Sequence, residues 1–446
     1  MFRRLYANPF LSLAALFQSK LFKDTTFVFI GNFVSPLILF VGSIILARFW
    51  GLAAFGALTF LFGMAGLAVG LTDLGIKISV VRWVSEYREA DQARYHFLLL
   101  AVLVVEALLG ALIVIVALLG APRIAAQFLD STAESATVQR FLLGAAFTSA
   151  GVYASAVLQA HQRFPITAAL ALLDMTLRTL GMIAASFFFQ TIQAVAVAYL
   201  IASVTSMAIG YVIVLKRYPP WPGLAYPLKR DAARGFFLFG KWVAVTVALN
   251  AILLRVDVIL LSALSNVVQV ALYGVAFQIS LGAVIAVNMF NTILLPRASR
   301  IQNRADLRRY SKQALVLSII VGCGIGIVFL FAESLVILLY GKAFLNAVPI
   351  LRLLLTGSLF FAFTYPYILL IYRLNRPDLQ TKTSVVGLCL LVIGDWLLIP
   401  LFGAMGPAVM FVALIVVGQA TLLVWLVTRG PRRAAEIGLV LRESYP

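Results

Sequence analysis

Histidine and cysteine are almost missing from this chain, with two of each in 446 residues. His96 and His161 fall near helix ends on the side assigned below to the cytoplasm, and Cys323 and Cys389 fall inside apolar runs. No spacing among them clips a metal ion or staples a secreted domain, so the cysteines read as core packing. No Walker-type phosphate loop occurs, which argues against self-contained ATP-driven work. Gly322-Cys323-Gly324-Ile325-Gly326 lacks the strand and acidic context of a dinucleotide fingerprint and lies within an apolar run. Charge is scarce at 12%, and no polar stretch is long enough to hold a sugar nucleotide. An integral-membrane glycan-modifying enzyme normally needs a general base, a metal pair or a nucleotide site. The composition offers little for one, so no catalytic residue, metal ligand or cofactor is assigned.

What the chain has in excess is apolar side chain, 63% of its residues, more than a water-soluble core can hide. Apolar runs of roughly 18 to 28 residues recur along nearly the whole length, each able to cross a ~30 Å hydrocarbon layer at ~1.5 Å per residue. Backbone groups in lipid must be satisfied within the segment, and the runs are too long for tilted barrel strands. An all-α polytopic membrane protein of about twelve transmembrane helices follows. The spans read 25–48, 53–72, 96–120, 141–160, 166–190, 192–215, 236–264, 268–295, 314–337, 347–372, 384–401 and 404–428.

The net charge of +18 would suggest a nucleic-acid partner for a soluble protein, but its placement says otherwise. With the N-terminus inside, the inner segments hold 28 of the 35 Lys and Arg, counting Lys241 with the linker it borders. The opposite side holds Arg48, Arg123, Arg140 and Lys342, while Arg178, Arg255 and Arg352 fall within spans. That asymmetry places both termini inside and sets the basic loops against anionic headgroups. Membrane lipids are therefore expected partners, and nucleic acid is not.

Residues 1–24 carry Arg3, Arg4 and a short apolar stretch but no small-x-small cleavage site, and read as a retained interfacial amphipathic segment. The interruption at 216–235, with Pro219, Pro220, Pro222 and Pro227, reads as a cytoplasmic linker between six-helix bundles at 25–215 and 236–428, and 429–446 as a cytoplasmic tail. An internal echo accompanies the split: Ile44 to Phe60 and Ile259 to Phe277 both pass from a helix end through a short turn to an aromatic-glycine pair, Phe55-Gly56 and Tyr273-Gly274. Six helices per half make the repeats parallel, about an axis along the membrane normal.

Several stretches, in order, resemble the oligosaccharide (O-antigen) flippase family of the multidrug, oligosaccharidyl-lipid and polysaccharide exporter superfamily. Leu46-Ala47-Arg48-Phe49-Trp50-Gly51 with Phe55-Gly56 is similar to that family's first helix exit. Asp73-Leu74-Gly75, Val81-Arg82 and Ser85-Glu86-Tyr87 are similar to the loop after its second helix. Arg255-Val256-Asp257, Tyr273-Gly274, Leu295-Pro296-Arg297-Ala298-Ser299 and Leu339-Tyr340-Gly341 with Phe344, Ala347 and Leu351 resemble later stations, so the likeness runs from about residue 25 to 430. The resemblance implies two six-helix bundles forming a V-shaped central cationic cavity. It also implies alternating access acting on a polyprenyl-diphosphate-linked oligosaccharide, with a glycan polymerase and other assembly proteins as further partners.

A charge at the bilayer centre costs from ~3 to over 10 kcal/mol, so each one needs a partner, water or a task. Guanidinium groups grip phosphate oxygens bidentately, which makes Arg178, Arg255, Arg48 and Arg352 the substrate-binding candidates. Asp174 lies four residues before Arg178 on one helical face, so that pair can equally close on itself. Arg255 and Asp257 lie about 200° apart on a helix, so one should meet substrate or water and the other a neighbouring helix. Arg48 and Arg352, near outer span ends, can also simply snorkel. Glu106 and Asp395 have no opposite charge within a turn of their own spans, and each is either a proton-coupling site or a neutral acid bonded to another helix. The closest rival is an ion-coupled drug exporter of the same superfamily, whose cavity should be acidic.

Overall fold

The computed structural model describes residues 20–129, 135–222, 230–301, 303–374, 376 and 378–436, and among them every regular element is helical. In order these are α1 (Lys20–Asp73), α2 (Ile76–Ala90), α3 (Gln92–Phe128), α4 (Ser135–Ala160), α5 (Phe164–Phe189) and α6 (Ile192–Arg217). There follow α7 (Arg230–Leu253), α8 (Val256–Leu264), α9 (Val267–Ala298), α10 (Arg304–Leu330) and α11 (Ala332–Tyr340). After a 3-10 turn at Lys342–Phe344 come α12 (Ala347–Ile368), α13 (Leu370–Arg373), α14 (Asp378–Phe402) and α15 (Met405–Glu436).

Ten described helices are long and apolar enough to cross a membrane, or eleven when the bent pair Val243–Leu253 and Val256–Leu264 forms one span. The shortfall from about twelve lies in α1, whose 54 residues extend about 80 Å, enough for two crossings. Its limbs meet at Gly51, where φ 70° and ψ −172° leave the helical region between the expected spans 25–48 and 53–72. Only glycine takes such an angle without a Cβ clash. The second break is the turn at Leu254 and Arg255, where α7 and α8 bend by 41°. Neither break is at a proline, although Pro36 lies inside α1 and Pro366 inside α12.

The chain divides into two compact units. The first comprises the described residues up to Phe49 together with Met64–Ala251, and the second comprises Trp50–Gly63 with the described residues from Ile252 onward. The division falls inside α1 and near the end of α7 and not in the proline-rich interruption at 216–235. In lipid no water-driven force pulls helices together, so close packing through small residues must do so. The first unit is centred on α4, whose Leu142, Ala145, Tyr153 and Val157 are buried against α2, α3 and α6. Gly144 of α4 lies against the Tyr199 ring of α6, which a Cβ at 144 would approach to 2.5 Å and displace. The second unit is centred on α12, which buries Leu351, Leu354, Leu355 and Ala362 among α9, α10 and α15. Within it Phe55 sits 6.4 Å and 5.9 Å from the rings of Tyr340 and Phe344.

Three expectations change or fall outside these residues. Cys323 and Cys389 are exposed on helix surfaces rather than in a core, because apolarity in a membrane protein marks the lipid face as readily as the interior. The interfacial segment 1–24 lies outside the described residues up to 19, and from Lys20 it is already α1. The linker positions 223–229 and tail positions 437–446 also lie outside, whereas α7 begins at Arg230 and α15 runs on to Glu436.

Candidate functional site

In the first unit Arg178 is 8% exposed and held on three sides. Its Nε and Nη2 reach Asp174 Oδ1 at 2.9 and 2.8 Å, Nη2 donates to Thr148 Oγ1 at 2.7 Å, and the guanidinium stands 5.1 Å from the Tyr199 ring. The i, i+4 spacing aligns the two charges, and Thr148 and Tyr199 come from α4 and α6. Thr148 in turn bonds its own Gly144 carbonyl at 2.8 Å, so the cluster is locked to the central helix. Arg48, on the first limb of α1 three residues before the Gly51 break, is exposed.

In the second unit the seventh expected span is broken where its charges sit. Arg255 is the residue before α8 and is exposed, while Asp257 in the first turn of α8 is 2% exposed. Asp257 accepts from the Val258 amide at 2.9 Å, covering an orphan N–H where the helix dipole favours an anion, and from the Tyr273 hydroxyl of α9. The helix restarts between the two residues, and their charges still interact across the restart. Discontinuous spans are where membrane transporters expose backbone and charge to cargo. Arg352 is exposed, with its guanidinium 5.8 Å from the Phe329 ring.

Glu106 and Asp395 are each 0% exposed, and none of their carboxyl oxygens has a hydrogen-bond partner among the described residues. The reading of either as an acid bonded to a neighbouring helix therefore lacks its bond. Asp395 interacts electrostatically with Asp257 and Tyr273, and Glu106 with Asp73 and Tyr211. Sequence reasoning on isolated spans missed these companions. Tyr273 was visible only as half of an aromatic-glycine pair, Asp73 only as a loop residue, and nothing in the sequence ties Thr148 to the charge on the next helix or Tyr211 to one three helices away. A pocket of about 660 Å³ opens at one end of the first unit, walled by Arg88, Gln92, Tyr95, His161, Arg163 and Tyr218 among others. No group of three or more His, Cys, Asp or Glu able to hold a metal occurs among the described residues.

The family profile for polysaccharide biosynthesis proteins matches residues 21–302. A proposed O-antigen transporter of Shigella flexneri is 24% identical over 195 residues, which cover 43% of this chain and 46% of the relative. The chain spans less than half the length of the curated relatives it matches. Among solved structures, an inward-facing multidrug resistance MATE family transporter of the MOP superfamily superposes with a TM-score of 0.71 at 15% identity, over 90% of this chain and 96% of that one. The lipid II flippase MurJ, in an inward closed conformation, gives 0.68 at 14% identity, over 90% and 87%. The chain therefore has the helical fold that these membrane transporters share.

Proposed function

The chain belongs to the polysaccharide biosynthesis protein family, and on that premise we propose that it is a flippase. It carries a polyprenyl-diphosphate-linked oligosaccharide from the cytoplasmic to the outer leaflet by alternating access, for O-antigen or exopolysaccharide assembly. The observation that carries the reading is Arg255, an exposed guanidinium at a break in an otherwise apolar span. A cation kept at that depth against a cost of several kcal/mol suits an anionic headgroup, and a guanidinium fork suits a diphosphate. Arg178 contributes positive field from within its ion pair, and Arg48 and Arg352 serve at span ends. Asp174 is the pair partner, and Glu106, Asp257 and Asp395 are the carboxylates available for coupling. The protein works as a transporter without chemistry of its own, alongside a glycan polymerase and other assembly proteins. A drug exporter of the same fold would bind cations and would be expected to place carboxylates, not Arg255, at the exposed break.

Two measurements test this. In reconstituted vesicles the wild type should move a labelled polyprenyl-diphosphate oligosaccharide, and Arg255→Gln should lose most of that movement while remaining as abundant in the membrane. Cation export without lipid movement would instead select the exporter. The orientation is tested separately, because the Lys and Arg asymmetry puts 216–234 and 297–312 in the cytoplasm. A phosphatase fused at position 225 should be inactive, and periplasmic activity there would invert the assigned topology.

A further inference from the structure

Glu106 sits in the middle of α3 with no exposed surface and no hydrogen-bond donor to either carboxyl oxygen among the described residues. A carboxylate in such a place costs several kcal/mol unless something positive sits on it. Among the described residues its electrostatic companions are Asp73, at the C-terminal end of α1, and Tyr211 of α6. Lys77 of α2 interacts with Asp73 instead, its backbone N–H bonding that carboxylate. Asp73 Oδ1 has no partner either, and neither does the hydroxyl of Tyr153 on α4, a residue with 0% exposure. Two acids and a phenol with unanswered polar atoms therefore share the interior of one unit.

Phenols line the way from this interior to its surface, with no hydrogen bond among the described residues joining Tyr211, Tyr153 and Tyr95; the Tyr211 hydroxyl donates to the Ala150 carbonyl at 3.1 Å. The rings of Tyr211 and Tyr153 stand 5.7 Å apart, and Tyr153 interacts electrostatically with Tyr95 of α3. The Tyr95 hydroxyl is 2.9 Å from His161 Nε2, and His161 Nδ1 is 2.7 Å from the Val157 carbonyl. A carbonyl only accepts, so Nδ1 carries the hydrogen and Nε2 accepts from the phenol. Burial holds the His161 imidazole below its ordinary range, with Arg88 and Arg163 acting in the same direction against its Val157 bond. Tyr95 and His161 form part of the wall of the 660 Å³ pocket, at the end of the unit that the basic loops assign to the cytoplasm.

We infer that Glu106 is a proton-binding site of the first unit, loaded and emptied through the file Tyr211, Tyr153, Tyr95 and His161 from that pocket. The proton resides on a Glu106 carboxyl oxygen and returns to pocket water by way of the phenols and His161 Nε2, with no other bond made or broken. This deepens the flippase reading, because coupling requires a carboxyl that meets one side of the membrane in each of two states, and the pocket supplies the cytoplasmic side of that exchange.

The test uses the full chain in lipid nanodiscs and needs no transport. An apolar carbodiimide reacts with protonated carboxyl groups in apolar surroundings, so Glu106 should be the labelled peptide position, with labelling lost as pH is raised. The infrared band of the same carboxyl should exchange its proton for deuterium, and Tyr153→Phe and His161→Gln should slow that exchange without changing its end point. The inference is overturned if Glu106 is unlabelled at every pH, if sodium ions protect it at fixed pH, or if both variants exchange as fast as the wild type. A protein with a titrating Glu106 that moves no lipid-linked sugar keeps this inference and loses the proposed cargo. One that moves the sugar with an inert Glu106 does the reverse.

Discussion

Replacing Arg178 with methionine is expected to remove the protein from the membrane rather than merely silence it. The side chains of Arg178 and Asp174 are 10% and 17% exposed, and the guanidinium also satisfies Thr148 and faces Tyr199. Deleting one partner of such a pair leaves an uncompensated buried charge and costs on the order of 3–5 kcal/mol, a large share of what holds a domain together. Deleting both partners is far cheaper, since an apolar pair of similar volume is often neutral. Arg178→Met should therefore lower abundance severely, while the double variant with Asp174→Asn regains much of it. The readouts are membrane abundance and the melting temperature of the detergent-purified protein. If Arg178→Met were as abundant as the wild type but inactive in flipping, Arg178 would be a cargo contact, and the structural account of the cluster would be wrong. Arg255→Gln is the informative contrast, because Arg255 is exposed and Asp257, with which its charge interacts, keeps its bonds to the Val258 amide and the Tyr273 hydroxyl.

Much of the fold can be read from hydropathy, because lipid allows only helices and apolar run length reports crossing length. Helix ends were harder. The α1 limbs were separable on paper at Gly51, yet the helix runs on either side of it with one aberrant residue, a feature set by backbone angle rather than by hydropathy. The fate of each charge was legible only where the partner lay on the same helix, as with Asp174 and Arg178. Asp257 illustrates the limit: its partner Tyr273 lies across a helix break, and a sequence has no way to show that two turns of different helices adjoin. Both cysteines were misread for a related reason, since an apolar residue in a span has equal licence to face lipid or protein.

The aromatic-glycine echo gains a physical cause, and it carries the other large expected effect. Gly56 lies where α1 crosses the start of α9, and a Cβ placed there would overlap the Val267 backbone carbonyl and touch the Ala271 methyl at 3.4 Å. Gly274, the matching glycine of the second copy, lies against Thr59, one turn along the same crossing, with Thr59 Cγ2 2.7 Å from where a Cβ would stand. Each glycine of the echo therefore admits the helix that bears the other. The obstructions differ in kind, because a backbone carbonyl has no rotamer to change whereas a threonine side chain can turn. Gly56→Leu should therefore block folding, costing more than the 1–3 kcal/mol of ordinary overpacking, and no neighbouring side-chain truncation should rescue it. Gly274→Ala should be milder and should be relieved by Thr59→Ala. Gly151→Ala and Gly282→Ala, at helical positions with nothing within 4 Å of an added Cβ, should be neutral or gain up to ~1 kcal/mol from helix propensity. Melting temperatures of the five variants decide it. A Gly56→Leu protein as stable as the two open-position controls would mean that the α1 and α9 crossing does not exist as drawn, and that the echo reflects ancestry without a packing role.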